Sequence, residues 1–136
     1  MMLGAETRAH PVGELGIAPD YSMSVDSDKE CPLEPPFASK HGFVKVGFEV
    51  SVEGTSAREV PVNPFYATLY DGAGESYTST LAGCEPTLPS VRVTSGMKTR
   101  GFVTFEIPRG ARKLELRYAP VVIGRTSEEL HFAINR

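Results

Sequence analysis

At 136 residues, with 40% apolar and 23% charged residues and a formal net charge of −3, the chain has the size and mix of one soluble globular domain. Both signs of charge are spread along it, and the lack of a basic block argues against nucleic-acid binding. No stretch approaches the roughly 20 apolar residues of a membrane span, and Met1–Glu6 lacks a charged-then-apolar leader, so the chain reads as cytosolic or as following a removed leader.

Residues 1–11 carry few apolar side chains and read as a flexible tail, leaving 12–136 as the domain. A weak strand is expected around Val12–Ile17, and a clearer one where Tyr21, Met23 and Val25 alternate with Ser22 and Ser24. Residues 26–42 form a long Pro-rich connection, of a length usually associated with function or with pinning. The strongest signal follows: Val44, Val46, Phe48, Val50 and Val52 alternate with Lys45, Gly47, Glu49 and Ser51, which describes a strand with one buried and one wet face. Phe65, Ala67 and Leu69 are expected to share a buried face, with Asp71-Gly72-Ala73-Gly74 turning the chain into Glu75–Thr78. A short strand is expected at Val91–Val93, and further strands carry Val103, Phe105 and Ile107, then Leu114, Leu116 and Tyr118, then Leu130, Phe132 and Ile134. Thr126-Ser127-Glu128-Glu129 resembles a capping box, but too few residues follow it for a helix.

Seven or eight short strands, with 13 glycines and 11 prolines clustered between apolar runs, predict an all-β chain. Antiparallel strands with one wet face pack as two sheets, so the expected fold is an immunoglobulin-like antiparallel β-sandwich.

The two cysteines, Cys31 and Cys84, both fall in proline-flanked loops. One disulfide is the expectation, with two free thiols or a metal or catalytic pair as the alternatives. Closing a loop of about 54 residues would stabilise the fold by roughly 4 kcal/mol in the chain-entropy model.

Catalytic signatures are missing from the sequence. It has no Gly-x-Ser-x-Gly elbow and no His-Glu-x-x-His helix, and His10, His41 and His131 read as surface residues in the tail, in a loop and on a wet strand face. A blue-copper site would need a His or Met close behind Cys84, and Met97 is too distant. Asp26, Asp28 and Glu30, and the Asp71–Glu75 turn, are conceivable Ca²⁺ ligands but read as solvated loop carboxylates without the twelve-residue spacing of a specific site. No enzyme activity, metal or cofactor is expected. Aromatics on wet faces are enriched at binding surfaces, and the alternation would place Tyr66, Tyr70 and Phe102 on one.

The order of segments carries a resemblance. Pro61-Val62-Asn63-Pro64-Phe65-Tyr66-Ala67-Thr68-Leu69-Tyr70-Asp71-Gly72, then Tyr77, Ser95-Gly96, Arg100-Gly101-Phe102-Val103-Thr104-Phe105-Glu106-Ile107-Pro108 and Leu114-Glu115-Leu116-Arg117-Tyr118 follow one another. In this the chain resembles, over roughly residues 12–134, a bacterial family of uncharacterised immunoglobulin-like domains, often found on lipoproteins and similar to the mycobacterial immunoprotective extracellular antigen. The resemblance implies a two-sheet sandwich, an extracellular or cell-envelope location and no established catalysis; its motifs mark fold and carry over no catalytic residues. The missing leader and lipobox depart from the pattern, whereas the cysteine pair fits an oxidising compartment.

The expected function is a non-catalytic binding or interaction module of the bacterial envelope or exterior, with a protein partner or self-assembly. The alternative is a structural subunit of a larger particle or filament. A Ca²⁺ or small-ligand binder using Asp26–Glu30 is a third reading.

Overall fold

In a computed structural model, residues 9–122, 124 and 128–134 are described. Residues 1–8 of the expected tail, and Thr126 and Ser127 of the capping-box sequence, lie outside them.

The chain folds as an immunoglobulin-like antiparallel β-sandwich. Its strands in chain order are β1 (His10–Pro11), β2 (Gly16–Ile17), β3 (Tyr21–Glu30), β4 (Phe43–Gly54), β5 (Val60–Val62), β6 (Ala67–Tyr70), β7 (Ser76–Thr78), β8 (Val91–Val93), β9 (Lys98–Pro108), β10 (Glu115–Tyr118) and β11 (Leu130–Ala133). One sheet has the order β1-β11-β10-β6-β7 and the other β2-β3-β4-β9, while β5 and β8 form a separate ribbon. All pairings are antiparallel except β1 with β11.

The alternation drives this arrangement. Met23 and Val25 from β3, Val46, Phe48 and Val50 from β4, and Val103 and Phe105 from β9 point inward. They meet Leu69, Leu116, Tyr118 and Phe132 of the facing sheet in one continuous core. Tyr118 and Tyr21 pack edge to face, with ring centroids 6.1 Å apart, and burial pushes both phenols well above their ordinary pKa. The Tyr21 hydroxyl is satisfied by donating to the Glu128 carbonyl at 2.8 Å.

Four details differ from the sequence expectation. The Val12–Ile17 region holds one short strand, β2, and a second, β1, lies just before it at the end of the expected tail; the two fall in different sheets because Gly13, at φ 88°, and a hydrogen bond from Glu14 N–H to the Pro11 carbonyl turn the chain across the sandwich. Strand β3 continues to Glu30, since the length of β4 offers it partners beyond a bulge at Asp26, so Asp26–Glu30 is strand and only 31–42 is irregular. Pro64–Tyr66 is a 3₁₀ turn: the Asn63 side chain accepts from Phe65 N–H at 2.8 Å and Pro64 stands at its start. That turn breaks the period of two, leaving Phe65 53% exposed while Ala67 and Leu69 stay buried. Finally, His131 points to the outer face but is 8% exposed, because long neighbours cover it; its Nε2–H donates to Glu129 at 2.7 Å and Nδ1 lies 3.7 Å from Glu115.

Candidate functional site

The outer face of the β2-β3-β4-β9 sheet divides into a covered half and an open half. Register places Lys29, Gly47 and Thr104 side by side in the covered half. Segment 79–88 runs along the free edge of β9: Thr80 N–H donates to the Thr104 carbonyl, Phe102 N–H to Pro86, and Leu88 N–H to Phe102. It then folds over the face, where Cys84 N–H donates to Thr104 Oγ1 at 3.0 Å. Cys84 is bonded to Cys31 beyond the end of β3, with Cα atoms 5.4 Å apart. The expected disulfide is therefore formed, and it staples the 31–42 connection to the 79–88 segment.

Two residues make this cap possible. Gly47 has no Cβ, and a methyl there would run into the Cys84 sulfur and lie 2.7 Å from Cys84 Cβ. Lys45, only 6% exposed, donates to the Phe37 carbonyl at 2.8 Å and the Ala82 carbonyl at 3.3 Å, tying the same two segments a second time. A buried ammonium is costly unless its donors are used, and here two backbone acceptors use them.

The open half is a trough of about 500 Å³. Its floor consists of Ser22 and Ser24 from β3 and Ser51 from β4, with Glu53 beside them. One rim is apolar, formed by Leu15 at 53% exposure, with the exposed Ile17 paired to Ser22 nearby; the other is cationic, formed by Lys98 and Arg100. The Ser24 and Ser51 hydroxyls both donate to the Asp26 carboxylate at 2.7 Å, which turns their lone pairs toward the trough. Arg100 Nε stands 3.9 Å from Glu49. Phe102 follows Arg100 on the same face of β9, with Lys29 Nζ 4.7 Å above its ring.

The three aromatics expected to share a wet face are not brought together. Phe102 is buried, at 7% exposure, because the cap lies against it. Tyr66 is half-buried against Tyr118, with centroids 6.3 Å apart, because the 3₁₀ turn rotates it toward the core. Tyr70 is half-buried on the outer face of the other sheet, beneath the Arg117 guanidinium at 4.1 Å. That face also carries an ion-pair chain in which Arg117 Nε–H donates to Glu115 at 2.6 Å, raising the guanidinium pKa.

Asp26 is engaged by two serines, and the Asp71 turn is internally satisfied. The Asp71 carboxylate accepts from the Tyr77 hydroxyl at 2.7 Å and from Ala73 and Glu75 N–H, which holds it below its ordinary value of 3.8. Burial, and then this bond, push the Tyr77 phenol up to about 12. His10 donates to Glu14 at 2.6 Å and packs on Phe132. Among the described residues, no group of three or more His, Cys, Asp or Glu side chains could hold a metal ion, and no helix is long and apolar enough to cross a membrane.

Sequence reasoning missed the trough residues Ser22, Ser24, Ser51, Glu53 and Lys98. The signal available was a run of small hydroxyl side chains at consecutive outward positions of two adjacent strands, where longer polar residues are usual.

The profile of a domain of unknown function, DUF4352, matches residues 18–128. No curated protein matches the chain in sequence. Among solved structures, a candidate lipoprotein of Bacillus subtilis, ycdA, superposes with a TM-score of 0.76 at 17% identity, over 89% of this chain and 38% of that one. The chain thus spans well under half of that protein. The yjhA protein of the same organism gives 0.70 at 15% identity over 93% and 99% of the two chains. A secreted protein of Mycobacterium tuberculosis, MPT63, gives 0.69 at 12% identity over 96% and 99%. At such identities the likeness establishes the β-sandwich fold, in agreement with the family resemblance in the sequence.

Proposed function

The chain belongs to the DUF4352 family of domains of unknown function, and on that premise we propose that it serves as a non-catalytic interaction module of the bacterial envelope or exterior. The observation that carries the reading is the division of one sheet face. A disulfide and a buried lysine fix a cap over half of it, and the other half is an open trough of about 500 Å³, within the range of about 300–1,000 Å³ common for ligand sites. The trough offers serines, one carboxylate and two cations on paired strands, with no histidine or cysteine among the side chains that line it. That composition suits recognition rather than nucleophilic or general-base chemistry.

Location is supported by two lines. A disulfide persists in oxidising compartments, and the structural neighbours include a candidate lipoprotein and a secreted protein. The test is the intact mass of the protein recovered from fractions of its native host, with and without reductant and thiol alkylation. The reading expects it in the envelope or medium with no alkylatable thiol before reduction. Cytosolic protein with two free thiols overturns it.

A further inference from the structure

The two segments joined by the disulfide are held to the sandwich very unequally. The 79–88 segment has attachments that owe nothing to sulfur. Bonds from Thr80, Phe102 and Leu88 N–H tie it to the edge of β9, and Cys84 N–H reaches Thr104 Oγ1. Close packing adds to them: a methyl on Gly83 would run into the Thr104 side chain, and one on Gly101 into the Leu88 backbone. Cys84 itself is seated over Gly47 at 3% exposure.

Cys31 begins a segment with no such seat. Residues 34–38 are all exposed, Phe37 to 57%. Between Cys31 and Lys40 the one hydrogen bond to the rest of the fold, among the described residues, is the one that Lys45 Nζ gives to the Phe37 carbonyl. A single hydrogen bond does not offset the entropy of ordering the residues around it, so the disulfide is what keeps this connection down. Cys31 is also the more accessible cysteine, being partly exposed.

What the connection hides is a charge. Lys45 stands on the outward side of β4, opposite Glu106 in register, yet is 6% exposed because Phe37 and Ala82 close over its ammonium.

We infer that the disulfide is a redox latch on the 31–42 connection: its reduction frees that connection, leaves the 79–88 segment in place and uncovers the Lys45 ammonium. The device is separate from the trough and does not depend on it. Its co-reactant is a dithiol. One thiolate attacks Cys31 Sγ, the S–S bond breaks, and Cys84 leaves as a thiolate and takes up a proton. The second thiol then displaces Cys31 from the mixed disulfide. The protein ends with two thiols and the dithiol with a disulfide, so electrons and protons balance.

The test compares the full chain with and without dithiothreitol, by amine acetylation, thiol alkylation and amide hydrogen exchange, each read residue by residue by mass spectrometry. On reduction Lys45 should acetylate at least about tenfold faster while the exposed Lys98 changes less than about twofold, the pattern of a local opening. Cys31 should alkylate at least about tenfold faster than Cys84, following accessibility. The Leu88 and Phe102 amides should keep their protection, as should Val46 and Val50 within β4. Equal protection of Lys45 in both states overturns the inference. So does loss of protection at Leu88 and Phe102, which would mean that the cap lifts as a whole, or at Val46 and Val50, which would mean that the bridge holds the entire fold.

Discussion

Replacing Gly47 by alanine isolates the contact on which the cap depends. The added methyl meets the Cys84 sulfur, approaches Cys84 Cβ to 2.7 Å and lies 3.2 Å from Phe102 Cδ1. None of these atoms can retreat freely, because Cys84 is cross-linked and Phe102 is buried beside it. Overpacking of this kind costs about 1–3 kcal/mol. Against it, alanine recovers about 0.5–1 kcal/mol of the entropy that glycine loses in a strand. The net expectation is a loss of about 1–2 kcal/mol, or about 3–6 °C in Tm for a domain of this size. Urea unfolding followed by circular dichroism under non-reducing conditions measures it. The same substitution in a Cys31→Ala/Cys84→Ala background, where the segment can lift, should cost less than about 0.5 kcal/mol or become stabilising. An equal cost in both backgrounds, or none in the oxidised protein, refutes the packing argument.

The Cys31→Ala/Cys84→Ala pair itself should lower stability by about 4 kcal/mol, read from the urea midpoint, since the bridge spans 53 positions. Lys45→Met keeps the side chain's bulk but leaves the Phe37 and Ala82 carbonyls without their donor, and should cost about 1–3 kcal/mol by the same assay. In the Asp71 turn the folded carboxylate has a pKa below its unfolded value of 3.8, so its contribution is full above that pH and lost as pH falls toward the folded value. Asp71→Asn should accordingly flatten the stability loss as pH falls below 3.8, measured by melting temperature from neutral pH downward.

The long strands were legible because one rule governs them. The five alternate apolar residues from Val44 to Val52 specify β4 and its buried face, and the β9 set Val103, Phe105 and Ile107 does the same. The loop disulfide was legible from cysteine number and placement. What the alternation could not give is where it stops. Asn63-Pro64 caps a 3₁₀ turn, and that single turn reverses the sides assigned to Phe65 and Tyr66. Wet-face parity also says nothing about a neighbouring segment lying on top, which is why Phe102 reads as exposed in sequence and is buried by the cap in the fold. The same blindness hid the trough: Ser22, Ser24 and Ser51 look like ordinary polar filler until register sets them side by side. Asp26 was noticed as an acid, but its role as acceptor for two serines depends on a bulge that no periodicity announces.

The most direct test of the account is site-specific photo-crosslinking in the native host, with a photoreactive residue replacing Ser24 in one strain and Thr78 in another. The account predicts a discrete protein adduct from position 24 alone, on disulfide-bonded protein outside the cytosol. Adducts from position 78 alone, or equal labelling from both faces, would contradict the assignment of the trough as the contact surface.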